Sequence, residues 1–207
     1  MKLAIFGSTG RTGRHIAEHA LAHGHHVTAF ARTPSAITAN HPSLSVVQGD
    51  VLDPAAVERA VQGQEAALCA LGSKPWTREP VLLEGTRNIL AAMEKFSVKR
   101  FVCESSFGVG DSKAEADWFT NFMIRLMMGK LFEQKGRQEG LIRQSQVEWI
   151  IVRPARLTNG PRLGGYRAGD HLRPGLFDSI SRADVAEFML KQLIDDTWLR
   201  KSVTISD

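Results

Sequence analysis

The sequence predicts an α/β protein with a doubly wound, mostly parallel sheet. Short apolar runs typical of buried strands alternate with stretches of helical periodicity along nearly the whole chain. The chain has 207 residues, enough for one such unit with a full core, and it shows no internal repeat and no linker-like segment. We therefore expect a single domain over residues 1–207, with right-handed crossovers between parallel strands.

Composition and charge narrow the class of protein. Hydrophobic residues make up 43% and charged residues 23% of the chain, as in ordinary globular proteins. The net charge of +4 comes from scattered Lys and Arg, so we expect no nucleic-acid partner, although an anionic cofactor or substrate would suit it. No apolar run approaches the ~20 residues of a membrane span, and the chain begins on a strand rather than a signal peptide. Cys69 and Cys103 lie in apolar runs and are expected to be reduced, as in a cytoplasmic protein.

A glycine-rich turn directly follows the first apolar run, residues 1–6, and leads into a helix expected to begin near Thr12. Glycine tolerates positive φ and allows close approach to a ligand, and a helix start offers free N–H groups and a positive dipole end. The spacing G-x-x-G-x-x-G in this position predicts a dinucleotide site rather than an ordinary turn. Its residues are Gly7, Ser8, Thr9, Gly10, Arg11, Thr12 and Gly13.

The helix after this turn carries a pattern that resembles a metal site. His15 to His19 spells H-x-x-E-H, a zinc-peptidase signature. These residues lie on the polar face of the expected helix, so we interpret them as a solvated surface and expect no metal.

The tip of the second strand, expected over residues 26–31, distinguishes between the two nicotinamide cofactors. Sheets that bind NAD place an acid about 20 residues beyond the glycines, where it accepts from the ribose hydroxyls. This chain has Arg32 there instead, with Ser35 just beyond. A guanidinium can bind a 2′-phosphate through two hydrogen bonds, whereas an acid would repel it. The sequence therefore favours NADPH, the alternative being that Arg32 is a surface arginine.

Further strands are expected at 44–48, 64–71 and 100–104, with helices at 55–61 and 81–96. Asp53 is placed to cap the first of these helices. Ser105 and Ser106 follow the fifth strand at its carboxyl end, the edge where ligands collect in open parallel sheets. We expect connecting loops at 74–80 and 107–116.

The second half begins with a long helical region at 117–144, interrupted near Gly129 and Gly136. Its apolar stretch 118–128 is interpreted as core, or alternatively as a substrate wall or subunit contact. A sixth strand at 148–153 precedes a Gly-, Pro- and Arg-rich excursion, Leu157–Pro174, which we place on the substrate side with a short strand at Tyr166. Ser181 is expected to cap a helix at 183–194, before a last strand at 202–205.

The inventory of residues excludes one familiar chemistry. Short-chain dehydrogenases that interconvert alcohols and ketones use Tyr-x-x-x-Lys, and the single tyrosine of this chain, Tyr166, has no lysine four residues later. Hydroxyls at the end of the fifth strand remain, with Lys135, Arg153 and Arg156 as possible neighbours. Hydride transfer into a conjugated acceptor, with a proton from water, needs no tyrosine.

Taken together, five motifs resemble the atypical short-chain dehydrogenase/reductase family. They are residues 5–13, 49–52, 71–72, 84–89 and 153–161, and the resemblance as a whole extends over nearly the entire chain. The sequence is most similar to the branch of biliverdin-IXβ reductase/flavin reductase, with NmrA-like proteins as neighbours. The resemblance implies a Rossmann-type, NAD(P)-binding fold.

The resemblance also implies roles by position. It assigns Arg32 and Ser35 to the 2′-phosphate and Ser106 to the active site, beside nicotinamide and substrate. The remaining cofactor-binding positions are the glycine-rich turn, Asp50 and Val51 at the adenine edge, Leu71, Gly72, Ser105, Lys135 and Pro154. Lys135 and Arg156 stand where the mammalian enzyme has histidines, and Glu104 stands where it has a cysteine. These departures concern the substrate rather than the cofactor.

These observations predict an NADPH-dependent reductase of a flavin such as FMN or riboflavin, or of biliverdin. Ser106, Arg156 and Lys135 are the expected catalytic group, and the protein is expected to be a monomer or weak homodimer. Two alternatives stay open. One is an NmrA-like sensor that binds NADP(H) without turnover, and the other is a nucleotide-sugar or lactone isomerase on the same sheet.

Overall fold

The computed structural model describes residues 1–72, 81–110, 118–175 and 177–207, with the backbone alone for 118–128. The loop expected at 74–80, part of the loop expected at 107–116 and the side chains of the apolar stretch 118–128 lie outside these residues. Within the described ranges, no helix is long and apolar enough to cross a membrane.

The fold is built on a mostly parallel sheet of eight strands in the order β3-β2-β1-β4-β5-β6-β10-β8, in which β8 alone runs antiparallel to its neighbour. Two further short strands, β7 and β9, pair with each other. The bounds are β1 Lys2–Phe6, β2 His26–Ala31, β3 Leu44–Gln48, β4 Ala66–Cys69, β5 Arg100–Glu104, β6 Glu148–Pro154, β7 Arg156–Thr158, β8 Arg167–Gly169, β9 Ser179–Ser181 and β10 Lys201–Ser206. The predicted α/β fold class is confirmed.

Helices cover both faces of this sheet. They are α1 Arg11–Ala22, α2 Pro54–Val61, α3 Val81–Lys95, α4 Trp118–Gln144 and α5 Arg182–Lys191, and a 3-10 turn spans Pro34–Ala36. Helices α1 and α5 pack on one face, and α2, α3 and α4 on the other. Successive side chains of a strand point to opposite faces, so Leu3 and Ile5 join the first core and Ala4 and Phe6 the second.

Both predicted helix caps are confirmed. The Asp53 carboxylate accepts a hydrogen bond from the Ala55 backbone N–H at 3.0 Å. The Ser181 hydroxyl accepts one from the Asp184 backbone N–H, also at 3.0 Å. These bonds satisfy amide groups that the first turn of a helix cannot pair internally. Cys69 and Cys103 are buried free thiols, as expected.

The predicted interruption near Gly129 and Gly136 is wrong, because α4 is one continuous helix. Glycine costs a helix roughly 1 kcal/mol relative to alanine but does not by itself break it. Tertiary packing outweighs that cost here: Ile142 of α4 is fully buried in the second core, and the Gln138 amide donates to the Thr86 hydroxyl of α3 at 2.8 Å.

The strand order changes direction between β1 and β4. Chain segments leaving the two strands at their carboxyl ends turn to opposite sides, which opens a crevice between them. The loop after β1, the ends of β2, β4 and β5, and the starts of α1 and α5 all reach this edge.

Candidate functional site

A cavity of about 480 Å³ opens at the carboxyl edge of the sheet, at the change of strand direction. Its walls come from strands, loops and helices that are far apart in the chain. The cavity brings together most of the residues that the sequence predicted, namely Gly7, Thr9, Gly10, Arg11, Thr12, Arg32, Asp50, Val51, Leu71, Gly72, Ser105, Ser106 and Lys135.

The glycine-rich turn lies tight against the end of β4. Gly7 has a φ of +80°, and a Cβ atom there would stand 2.4 Å from the Ala70 carbonyl oxygen. A Cβ atom on Gly13 would stand 2.1 Å from the Gly7 carbonyl oxygen. Both distances are far shorter than any real contact, so these two positions require glycine. The Gly10 N–H donates to the Gly7 carbonyl at 2.8 Å and closes the turn.

The start of α1 faces the cavity and is suited to binding an anion. Among the described residues no side chain caps the Gly10 end of this helix, and its first turn contains no acid. Its first amide groups and dipole are therefore directed at the cavity, where a pyrophosphate would be held. The residues present fit the phosphates of a dinucleotide.

Two residues of this turn support it from behind. The Ser8 hydroxyl is buried and donates to the Phe30 carbonyl of β2 at 2.8 Å. Gly13 lies inside α1, packed against the turn. Neither belongs to the lining of the cavity that the described residues form. Both residues fix the shape of the turn. The Ser8 side chain lies outside this lining, so its placement does not support the prediction that it contacts the cofactor.

The far end of the cavity carries the residues expected at the ribose and adenine. Arg32 follows β2 and lines the wall together with Asp50 and Val51. Asp50 accepts a hydrogen bond from the Leu52 N–H at 3.0 Å, which shapes the loop after β3. Ser35 lies in the 3-10 turn, outside the lining formed by the described residues.

Ser105 and Ser106 follow β5 directly, and their hydroxyls make different contacts. The Ser106 hydroxyl is partly accessible at the cavity wall and donates to the Phe107 carbonyl at 3.2 Å. The Ser105 hydroxyl is buried and donates to Glu139 Oε1 of α4 at 2.6 Å. Ser106 is thus the hydroxyl available to a ligand, whereas Ser105 anchors the segment.

The anchor of Ser105 belongs to a buried ion pair. Arg153 of β6 donates to both oxygens of Glu139, through Nε at 3.1 Å and through a terminal nitrogen at 2.7 Å. The two side chains are 3% and 1% exposed. A two-bond arginine–carboxylate pair has a fixed geometry, so β5, β6 and α4 are locked together directly behind Ser106.

Lys135 joins three elements at the cavity wall. Its ammonium donates to the Glu104 carbonyl at 2.7 Å and to the Leu71 carbonyl at 3.1 Å, which ties α4 to the ends of β4 and β5. The residue is buried apart from the surface that it gives the cavity. Lys135 thus lines the cavity, and its predicted contact with cofactor and substrate stays a prediction.

Glu104 is a site residue that the sequence interpretation noted without giving it a role. It ends β5, lines the cavity and accepts a hydrogen bond from the Thr12 hydroxyl at 2.9 Å. Burial raises the pKa of this carboxyl, and the opposing effects of Lys135, the Thr12 hydrogen bond and Arg182 only partly offset that rise. The signal was a single acid at the end of an otherwise buried strand.

The predicted cation Arg156 does not reach the cavity formed by the described residues. It is exposed on β7, and its guanidinium donates to the Phe177 carbonyl at 3.4 Å. Arg182, at the start of α5, is a cation in the wall that the sequence interpretation did not name, and it also donates to the Thr158 carbonyl at 3.0 Å. Burial and the nearby Arg11 lower the pKa of Arg182. Pro154 ends β6 and likewise lies outside the lining.

Tyr166 bonds a lysine, although not one four residues later as in Tyr-x-x-x-Lys. The Lys191 ammonium donates to the Tyr166 hydroxyl at 3.0 Å, while the ring packs edge-on against Phe188. Neither residue lines the cavity that the described residues form.

The histidines of the H-x-x-E-H pattern also lie outside this cavity lining, with His15 facing Glu18 at 3.6 Å. No metal-binding group of His, Cys, Asp or Glu occurs in the described part of the chain.

Comparison with known proteins supports a nicotinamide-cofactor site. The model of a family described as NAD(P)H-binding matches residues 7–196. An uncharacterized chloroplastic protein of Arabidopsis thaliana is 32% identical over 99% of this chain and 76% of that protein. A (4-alkanoyl-5-oxo-2,5-dihydrofuran-3-yl)methyl phosphate reductase of Streptomyces griseus is 30% identical over 73% of this chain. The chain spans 46% of that enzyme's length.

Solved structures share the fold at low sequence identity. The anaerobilin reductase ChuY of Escherichia coli O157:H7 superposes with a TM-score of 0.85 at 21% identity, over 99% of this chain and 96% of that one. A short-chain dehydrogenase/reductase of Veillonella parvula in complex with NADP gives a TM-score of 0.80 at 19% identity, over 100% of this chain and 94% of that one. With the cavity at the carboxyl edge of a doubly wound sheet and the match over residues 7–196, we conclude that this chain belongs to the NAD(P)H-binding family.

Proposed function

We propose that this protein is an NADPH-dependent reductase that delivers hydride to a conjugated acceptor, a flavin or a linear tetrapyrrole. One observation carries the proposal. A single cavity contains a phosphate-binding turn, Arg32 at one end, and Ser106 with Lys135 at the other. The branch of biliverdin-IXβ reductase/flavin reductase, suggested by the sequence, fits this arrangement.

Arg32 supports NADPH over NADH. The side chain lies in the cavity wall at the end of β2, where an NAD-specific site would place an acid. A guanidinium offers paired donors to the phosphate on the adenine ribose. Asp50, the nearby acid, already accepts the Leu52 amide and lies after the next strand.

The chain's part in the reaction is to position the reactants. When bound, NADPH supplies the hydride. Ser106 presents a hydroxyl to both reactants, and the buried pair of Glu139 and Arg153 holds its backbone through Ser105. Lys135 fixes the edge formed by β4 and β5. Holding two reactants in a near-attack geometry accounts for a large part of many enzymatic rate gains.

The nature of the wall supports a flat, anionic acceptor. Leu71, Val81, Leu131 and Phe132 give the cavity an apolar side suited to a conjugated ring system. Arg11 and Arg182 add two cations on the side of α1 and α5. Flavin phosphates and tetrapyrrole propionates carry charges that such cations would bind. The Streptomyces griseus reductase named above acts, by its name, on a phosphorylated compound, which agrees with an anionic acceptor.

Oxidation of NADPH with a panel of acceptors tests this proposal. With the wild-type protein, we expect the absorbance of NADPH to fall when FMN, riboflavin or biliverdin is added. In the Ser106→Ala variant this fall should be at least tenfold slower, while the affinity for NADPH stays unchanged. Ser145→Ala is a matched control, since Ser145 bonds the Ile142 carbonyl at the end of α4. Tight NADPH binding without turnover of any acceptor would contradict the reductase and support an NmrA-like sensor.

A further inference from the structure

Glu104 is a buried acid in the cavity wall that takes no part in the proposed hydride transfer itself. Alternation along β5 sends Val102 to the core beneath α1 and α5, and Glu104 follows it on that side. The residue is 8% exposed and lines the cavity. The Thr12 hydroxyl holds Oε1 at 2.9 Å.

Polar groups approach Glu104 from three helices. Thr12 comes from α1, Lys135 from α4 through the backbone carbonyl of Glu104, and Arg182 from α5. In the described ranges, Thr12 is the group recorded in a hydrogen bond with the carboxyl itself. The two cations act at longer range, so neither forms a contact ion pair that would fix Glu104 in its charged form.

We propose that Glu104 is the proton donor of this reductase. The inference rests on the proposed function and adds the proton to its hydride step. The conjugated acceptor gains a hydride, two electrons with one hydrogen nucleus, from the dihydronicotinamide, which leaves as the oxidised ring. The reduced acceptor then carries one extra negative charge. The Glu104 carboxylic acid gives it a proton, a new bond to hydrogen forms on the acceptor, and the resulting carboxylate recovers a proton from water.

The placement of Glu104 suits this task. It lies two residues before Ser106 on the same strand end, and both line the same cavity. Burial favours the protonated carboxyl, which a donor needs before each turnover. Because Glu104 lines the cavity, water in the cavity is the source that restores its proton. The donor thus occupies the chemical role that tyrosine has in alcohol-forming relatives of this fold.

The dependence of the turnover number on pH tests the proposal in Glu104→Gln, which keeps an oxygen to accept from Thr12. At saturating NADPH and acceptor, the wild-type rate is expected to fall as pH rises through the raised pKa of Glu104. In the variant this decline should vanish, and the maximal rate should drop by roughly 10²–10⁴-fold. Glu187→Gln is the matched control, because Glu187 is a partly buried acid of α5 that pairs with Lys191 and does not line the cavity formed by the described residues. An unchanged pH profile in Glu104→Gln would overturn the proposal.

A measurement without turnover separates this inference from the proposed function. A carboxyl whose pKa is raised in the folded protein contributes stability below its unfolded pKa and loses it as pH rises through the folded value. Glu104→Gln should therefore melt above wild type at neutral and alkaline pH, with the difference vanishing in acid. The protonated carboxyl should also appear in infrared difference spectra between acid and alkaline pH, and be missing in Glu104→Gln.

These outcomes assign failure to one proposal or the other. If no acceptor is reduced while the stability and infrared results hold, the reductase proposal fails and the protonation of Glu104 stands. If acceptors are reduced but Glu104 shows no protonated form at neutral pH, the proton donor is another group. Should Glu104→Gln fold poorly, Glu104→Cys provides the second variant, because cysteine occupies the corresponding position in the branch that the sequence resembles.

Discussion

Arg32 is the side chain on which the choice of cofactor rests, so it gives the sharpest prediction at the scale of a residue. Arg32→Ala should weaken NADPH binding by roughly 10–100-fold, because hydrogen bonds to a charged group contribute about 1.5–3 kcal/mol. NADH affinity should stay the same. Titration of cofactor fluorescence measures both constants. Arg32→Lys is the control, because it keeps the charge and loses the paired donors. Equal wild-type affinities for NADPH and NADH would contradict the assignment.

Arg156 and Arg182 form a natural pair for a second prediction. Arg182 lines the cavity, whereas Arg156 is exposed on β7 and bonds a backbone carbonyl. Arg182→Ala should raise the KM for an anionic acceptor by about tenfold or more, since a charged contact in the wall is lost. Arg156→Ala should change it less than twofold. A large effect of Arg156→Ala with none from Arg182→Ala would restore the sequence-based assignment. Steady-state kinetics with FMN and riboflavin, which differ by one phosphate, would also show whether the lost contact is to phosphate.

The difference between these two arginines also shows which site residues a sequence pattern can predict and which it cannot. Gly7, Arg32 and Ser106 follow directly from their strands, so position in the chain was enough to predict their place at the carboxyl edge. Arg182 enters the cavity only because β9 and α5 return to the sheet beside β7. The bond between Thr12 and Glu104 joins residues 92 positions apart. Such contacts depend on packing that no local pattern encodes.

At the scale of elements, α4 shows how packing overrides local propensity. Gly129 and Gly136 suggested a break, and yet the helix runs unbroken along the second core. The other helices and the strands of the main sheet came close to their predicted bounds, as α3 does at Val81–Lys95 against the expected 81–96, whereas β7 and β9 were not predicted. The periodic and capped segments were predictable because their signals are local. Continuity through a glycine depends on contacts with α3 and β6, which lie elsewhere in the sequence.

The same helix gives a prediction about stability. Gly140→Ala should raise the free energy of unfolding by about 0.5–1 kcal/mol, because alanine restricts the unfolded chain and favours the helix. A Cβ atom at Gly140 would meet no atom within 4 Å among the described residues. Gly13→Ala is the contrasting variant, since its Cβ atom would stand 2.1 Å from the Gly7 carbonyl oxygen. It should destabilise the protein and weaken NADPH binding. Urea titrations measure both, and destabilisation by Gly140→Ala would indicate that α4 is not helical there.

At the scale of the whole molecule, the sheet connects the two hydrophobic cores. Each core lies on one face, yet the same strands contribute alternate residues to both, as β1 does with Ile5 and Phe6. The cavity then draws its wall from elements on both faces, from α1 and α5 on one side and from α4 on the other. Loss of either core would therefore disrupt the site, and binding at the site would stabilise both cores.

This coupling predicts how the protein unfolds with its cofactor. We expect one cooperative transition, the same by circular dichroism and by tryptophan fluorescence, as for a single domain. NADPH at a hundredfold excess over its Kd should raise the free energy of unfolding by about 2.7 kcal/mol. For a chain of 207 residues that corresponds to a rise in Tm of roughly 5–11 °C. At the same NADPH concentration, Arg32→Ala should keep only about 0.4–1.4 kcal/mol of this gain, because its NADPH binding is expected to be 10–100-fold weaker. Two transitions, of which NADPH moves only one, would instead show that the two cores unfold as separate units.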